Sequence, residues 1–226
     1  MSDRSPHVVI FVGPSIPIVE ARAILDADYR APVGRGDIAA LLSEAPDIIG
    51  IIDGRFLQNF AISPKEILIA LERGVLVYGS SSMGALRATE LHPFGMIGVG
   101  QVFELFRNGE LDADDEVAMV YADEDLRPLS EPMVNIRIAL ERATAACALS
   151  SESAQVLLET AKSLWFPRRT YANVVKLAEG RVSTQELDAF RAFVREHRPD
   201  AKREDAVLLL KRARDHVVER VAEGAM

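Results

Sequence analysis

The sequence has little of what metal sites and disulfide bonds require. It contains one cysteine and four histidines among 226 residues. A lone cysteine cannot form an intrachain disulfide, and Cys147 lies in an apolar helical pattern without basic neighbours, which is typical of a small core residue. The histidines lack the spacing of zinc ligands. We therefore expect no metal and no cofactor.

Long hydrophobic runs are also missing. No apolar stretch approaches the roughly 18 residues of a membrane span, and the first one ends at Gly13-Pro14, which indicates a strand rather than a signal peptide. The net charge is -8 and the pI is near 5.1, so nucleic acids and membranes are poor partners. We expect a cytoplasmic protein that binds proteins or small molecules, and leave a homo-oligomer open.

Short apolar runs alternate with amphipathic segments in the first half of the chain. The candidate strands are 7–12, 47–52, 75–78 and 117–122. The first three are rich in Val and Ile, as strands buried on both faces of a parallel sheet are. From Glu131 onward the pattern is helical. We predict an α/β fold with a mostly parallel sheet of about four to five strands and flanking helices. Residues 1–128 would form this core, and residues 129–226 an all-helical C-terminal region packed on it.

The serine-rich turn after the third strand is the strongest candidate site. Gly79 is followed by three serines, the last being Ser82, and then by a helical pattern. The first-turn N–H groups, at Met83 and Gly84, lack intrahelical partners and can stabilise an oxyanion. The turn is not a strict nucleophile elbow, because G-x-S-x-G centred on Ser82 would require glycine at position 80. In the simpler interpretation, the serines only cap the helix.

A serine nucleophile needs a base, and Lys65 is the best-placed candidate. It follows Ser63-Pro64 at the start of the preceding helix, which lies at the same sheet edge as the strand C-termini. A lysine there opposes the helix dipole, and partial burial would disfavour its charged form. The alternative is a solvated first-turn lysine. The histidines are poorly placed, since His92 lies at the far end of the Ser82 helix.

Polar residues also follow the other two strands. Asp53 ends the second strand and could orient Lys65, bind a polar ligand or simply form a turn. Ser15 follows the first strand, and Ser81 precedes Ser82 in the serine turn. Because ligands of open α/β sheets bind outside the carboxyl ends of the strands, these loops indicate one site.

Several motifs in collinear order, spanning roughly residues 8 to 175, resemble the TfuA-like proteins, partners of YcaO enzymes in peptide thioamidation. They are Phe11–Ser15, Arg35–Asp37, Ile52–Phe56, Lys65–Leu68, Ser82–Ala88, Gly95–Gly100, Asp114–Val117 and Ser130–Arg137. One departure is Pro64, where the family often has histidine.

The resemblance implies a Ser-Lys hydrolase that releases sulfide from a thiocarboxylated ThiS-like carrier and assists a YcaO enzyme in thioamidating a precursor peptide. The catalytic residues carried over are Ser82 and Lys65. The expected oxyanion or substrate-binding residues are Met83, Gly84, Ser81, Ser15, Asp53 and Arg87. A noncatalytic adaptor that bridges the YcaO enzyme and its peptide is the alternative. A nucleotide-binding domain is less favoured, because Gly13-Pro14-Ser15 matches neither common phosphate-binding motif.

Overall fold

A computed structural model describes residues 5–55, 61–122 and 124–224. The chain forms two compact units, one of Met1–Asp112 with Lys202–Met226 and one of Ala113–Ala201. Each unit contains its own cluster of buried hydrophobic side chains. Phe56, the last residue of one motif named above, lies outside the described residues.

The first unit contains a five-stranded sheet in which every pair of neighbouring strands is parallel. The strands are β1 (Val8–Phe11), β2 (Asp28–Arg30), β3 (Ile48–Ile51), β4 (Leu76–Ser80) and β5 (Ile97–Val99), in the order β2-β1-β3-β4-β5. All residues of β1 and β3 are buried, as expected for central strands of a parallel sheet. The predicted α/β class and the number of strands are confirmed.

Ten α-helices occur in the described residues. They are α1 (Ile18–Ile24), α2 (Asp37–Leu41), α3 (Pro64–Glu72), α4 (Met83–Leu91), α5 (Gln101–Arg107), α6 (Met133–Ala145), α7 (Ser151–Ser163), α8 (Tyr171–Leu177), α9 (Thr184–His197) and α10 (Ala201–Gly224). None of these helices is long and apolar enough to cross a membrane. The start of α3 is as predicted, with Ser63 as N-cap and Pro64 in the first turn.

The last helix of the chain belongs to the sheet unit. Leu209 and Leu210 of α10 are fully buried and share a core cluster with Ile10 of β1 and Ile48 of β3. On α4, the approach to the sheet is so close that a Cβ atom at Gly84 would lie 1.7 Å from the carbonyl oxygen of Ile51. Only glycine allows this helix to lie against β3.

Two strands were not predicted, and both are only three residues long. In β2, the buried Tyr29 donates to the carbonyl oxygens of Ala21 and Leu25, each 2.8 Å away, which ties the strand to α1. In β5, a Cβ at Gly98 would lie 2.3 Å from the ring of Phe103. The glycine that suggested a loop therefore makes room for an aromatic side chain.

The predicted strand over residues 117–122 is wrong. This stretch follows a 3₁₀ turn at Asp114–Glu116, and the one bridge it forms within the described residues joins Tyr121 to Pro128. Val120 donates its N–H to Ser130 Oγ at 2.9 Å. The apolar run is a folded loop, in which Val117 and Ala118 are buried and the other four residues are half-buried.

The second unit packs helices α6 to α9 around residues such as Leu157 and Phe190, both fully buried. In the 3₁₀ turn of this unit, Glu116 is 5% exposed and accepts two hydrogen bonds from Arg137, whereas Asp114 and Asp115 are exposed. The buried Arg169 pairs with Asp115 at 3.0 Å. These ion pairs connect the 3₁₀ turn to the helices of this unit.

Cys147 is not the buried core residue that its apolar neighbours suggested. The side chain is exposed, and the backbone has a φ of 57° just after α6. Helix α6 ends before the cysteine, so Cys147 leaves the apolar face that the sequence pattern assigned to it. The thiol of Cys147 is therefore open to solvent.

Candidate functional site

The strand order places a topological switch between β1 and β3. The chain passes from β1 to β2 on one side and then to β3 on the other side of β1. Helices that follow β1 and β3 therefore diverge, and a crevice forms at the carboxyl ends of these two strands, where ligands bind in open α/β sheets. Ser15 follows β1, and Asp53 follows β3. Both residues lie at this switch point.

A buried hydrogen-bond network connects the loops at the switch point. One oxygen of Asp53, Oδ2, accepts from the N–H of Gly13 at 2.8 Å and from the N–H of Ser15 at 3.1 Å. The other oxygen, Oδ1, accepts from Ser15 Oγ at 2.7 Å. Hydrogen bonds to a carboxylate are among the stronger ones in proteins, and burial makes them more so. The carboxylate holds the loop after β1 against the end of β3.

Ser81 extends this network to the loop after β4. Its Oγ donates to Ser15 Oγ at 2.9 Å. Its backbone φ is 66°, in the left-handed region that costs a non-glycine residue about 1 to 2 kcal/mol. The sequence suggested a bend at Ser82, but the left-handed residue between β4 and α4 is Ser81. A sharp strand-to-helix turn is therefore present, one residue earlier than predicted.

Ser82 is the N-cap residue of α4, yet its side chain makes no capping hydrogen bond. It is 4% exposed, and its Oγ has no hydrogen-bond partner among the described residues. The hydroxyl is thus not used for capping, in contrast to the simpler interpretation of the serines.

The two predicted oxyanion donors differ in their surroundings. Within the described part of the chain, the N–H of Met83 has no acceptor, whereas the N–H of Gly84 points to the carbonyl of Ile52 at 3.4 Å. The N–H groups of Ala85 and Leu86 both donate to the carbonyl of Ser82. The free donor next to the free hydroxyl is therefore at Met83.

Lys65 and Arg87 lie apart from this network. Lys65 is exposed, and its ammonium makes no hydrogen bond to Ser82 or to any other residue that the structure describes. Arg87 donates from Nε to the carbonyl of Ile62 at 3.1 Å and from NH1 to Glu90 at 2.6 Å. These contacts occupy its guanidinium and connect α4 to the segment before α3.

The site also contains two groups that the sequence did not single out. Gly13 donates its backbone N–H to Asp53, and because no side chain of Gly13 takes part, the sequence pattern could not indicate this role. Ser80 Oγ is buried without a partner among the described residues. The structure thus brings together Ser15, Asp53, Ser81 and Ser82, and leaves Lys65 and Arg87 outside their hydrogen-bond network.

The family model described as TfuA-like protein matches residues 53–170, a little more than half of the chain. The match begins at Asp53 and includes the serine turn, α4 and α6. A comparison with curated proteins found no match.

Proposed function

The chain belongs to the TfuA-like family of thioamidation-associated accessory proteins that work with a YcaO enzyme, and on this premise we propose that it releases sulfide from a thiocarboxylated ThiS-like carrier for the thioamidation of a peptide backbone. Ser82 is the proposed nucleophile and Lys65 the proposed base. The observation that carries the proposal is the Ser82 hydroxyl, nearly buried and without a described partner, beside the free N–H of Met83.

The reaction begins with attack of Ser82 Oγ on the carbonyl carbon of the thiocarboxylate. Lys65 takes the serine proton, and the carbonyl oxygen gains negative charge that the N–H of Met83 stabilises. The carbon–sulfur bond then breaks, and the sulfur leaves as hydrosulfide with the proton from Lys65. Water hydrolyses the resulting ester, which regenerates Ser82 and leaves the carrier with a carboxylate.

This role requires a change around Lys65, because its ammonium is exposed in the free chain. We propose that the docked carrier covers Lys65. Burial under a protein surface disfavours the charged ammonium, so docking of the carrier increases the share of Lys65 in the neutral, basic form.

The alternative is a noncatalytic adaptor that bridges the YcaO enzyme and its peptide. One observation favours it, since Lys65 makes no hydrogen bond with Ser82 among the described residues. In that case the crevice would hold the carrier's tail without breaking a bond, and the helical second unit would contact the peptide.

Sulfide release from purified thiocarboxylated carrier, measured without YcaO, separates the two functions. Hydrolysis predicts release by the wild-type chain and a loss of about 10²- to 10⁴-fold for Ser82→Ala and for Lys65→Ala. Lys162→Ala is a matched control, because this lysine lies on α7 in the other unit. If both site variants release sulfide like the wild type, the Ser-Lys mechanism is wrong. If the wild-type chain itself releases none, the adaptor is favoured.

A further inference from the structure

Three side chains form a continuous buried hydrogen-bond path, which we call the hydroxyl chain: Ser81, Ser15 and Asp53. Ser81 Oγ donates to Ser15 Oγ at 2.9 Å, and Ser15 Oγ donates to Asp53 at 2.7 Å. None of the three is more than 3% exposed. The path joins the loops that follow β4, β1 and β3.

The Asp53 carboxylate at one end of the hydroxyl chain determines which hydroxyl donates to which. A carboxylate only accepts hydrogen bonds, so Ser15 must donate its single proton to Asp53. Ser15 Oγ is then an acceptor for Ser81, whose own proton is committed to Ser15. Ser81 therefore cannot donate to Ser82.

The hydroxyl chain is better suited to positioning than to proton transfer. Asp53 already accepts three hydrogen bonds, from Gly13, from the N–H of Ser15 and from Ser15 Oγ. These bonds occupy both carboxylate oxygens and hold the side chain in place. The same three bonds make it a rigid attachment point for the loop after β1.

The residue at the other end of the chain is the strained one. Ser81 has a φ of 66°, and the next N–H, of Ser82, folds back to the carbonyl of Ser80 at 2.7 Å. A non-glycine residue keeps such a conformation only where its surroundings impose it. The hydrogen bond to Ser15 is the side-chain contact of Ser81 that can do so.

We propose that the hydroxyl chain holds Ser81 in its left-handed conformation and thereby positions Ser82 Oγ and the N–H of Met83 toward the same reacting group. Ser81, Ser15 and Asp53 are positioning residues, and this inference rests on the proposed role of Ser82 as nucleophile. Loss of the chain leaves the turn free to relax, which misplaces the nucleophile and the oxyanion donor together.

The test is the rate at which a fluorophosphonate probe labels Ser82, followed by peptide mass spectrometry, alongside kcat and KM for sulfide release. Ser81→Ala and Ser15→Ala should each slow labelling and kcat by about 10- to 100-fold with little change in KM. Ser15→Thr, which retains the hydroxyl, should restore most of the rate. Ser153→Ala is the matched control, because it removes a hydrogen-bonded hydroxyl of a buried serine in the other unit.

The double variant of Ser15→Ala and Ser81→Ala should label no more slowly than the slower single variant, since both break one path. Thermal unfolding and circular dichroism establish the temperature at which all variants remain folded. Two results would overturn the positioning role of the hydroxyl chain and leave the proposed function standing. They are wild-type labelling rates in the folded single variants, and rate losses that multiply in the double variant. If the wild-type chain neither labels at Ser82 nor releases sulfide, the inference and the proposed function fall together.

Discussion

Asp205 gives the chain a stability that depends on pH in a defined direction. This residue of α10 is 4% exposed, and its carboxylate accepts the N–H groups of Gln101 at 2.8 Å and Val102 at 2.7 Å. It therefore caps α5 from a different helix. Burial raises the pKa of Asp205 from 3.8 to about 6, although the two backbone donors oppose the shift.

The sign and size of the effect follow from this shift. Between about pH 4 and pH 6 the native carboxyl keeps a proton that the unfolded chain has lost, so the free energy of unfolding falls as the pH rises. A shift of about two pKa units corresponds to about 3 kcal/mol in total. Of this, about 1.3 kcal/mol is lost between pH 5 and pH 7. The Asp205 contribution is greatest in acid and is gone at neutral pH.

Urea unfolding of the wild type and of Asp205→Asn, followed by circular dichroism at half-unit steps from pH 5 to pH 8, measures this contribution. Asparagine is neutral throughout, so the difference between the two free energies should change by about 1.3 kcal/mol over the lower two pH units. Trp165 fluorescence is an internal control, because this residue lies in the other unit. Parallel pH curves for the two proteins would refute the reasoning.

Two further substitutions test the packing of the turn and the role of sulfur chemistry. Gly84→Ala places a Cβ 1.7 Å from the carbonyl oxygen of Ile51, so α4 must move. We expect the free energy of unfolding in urea to fall by about 1 to 3 kcal/mol and sulfide release to fall strongly. Wild-type values of both would contradict the close approach. Cys147→Ser should leave sulfide release unchanged, because the proposed chemistry needs no thiol. A strong loss, with the fold intact, would indicate that the thiol of this exposed cysteine attacks the carrier's carbonyl carbon in place of Ser82.

The elements that could be predicted are those that a short stretch of sequence identifies by itself. The Val- and Ile-rich runs of β1, β3 and β4 identify buried parallel strands, and Ser63-Pro64 marks the start of α3. The two three-residue strands, β2 and β5, are too short for a hydrophobic pattern and depend on tertiary contacts of Tyr29 and Phe103. Residues 117–122 show the reverse, since an apolar run there forms no strand in the described part of the chain.

The candidate site was predictable as a set of loops but not as a network. Sequence reasoning placed Ser15, Asp53 and the serine turn at one sheet edge, because parallel strands end together. It could not show that Ser15 and Asp53, separated by 38 residues, are hydrogen-bonded, since that depends on β1 and β3 being neighbours. The left-handed conformation of Ser81 is likewise imposed by tertiary contacts, as serine has no intrinsic preference for it.

The central claim is that Ser82 forms a covalent bond with the carrier's carbonyl carbon. Rapid acid quench of the wild-type chain mixed with thiocarboxylated carrier, followed by peptide mass spectrometry, tests it most directly. The account predicts a carrier-derived acyl group on the peptide that contains Ser82, assigned to Ser82 by fragmentation, and no adduct in Ser82→Ala. An acyl group on Ser81 or Ser15, or sulfide release by Ser82→Ala at the wild-type rate, would contradict it.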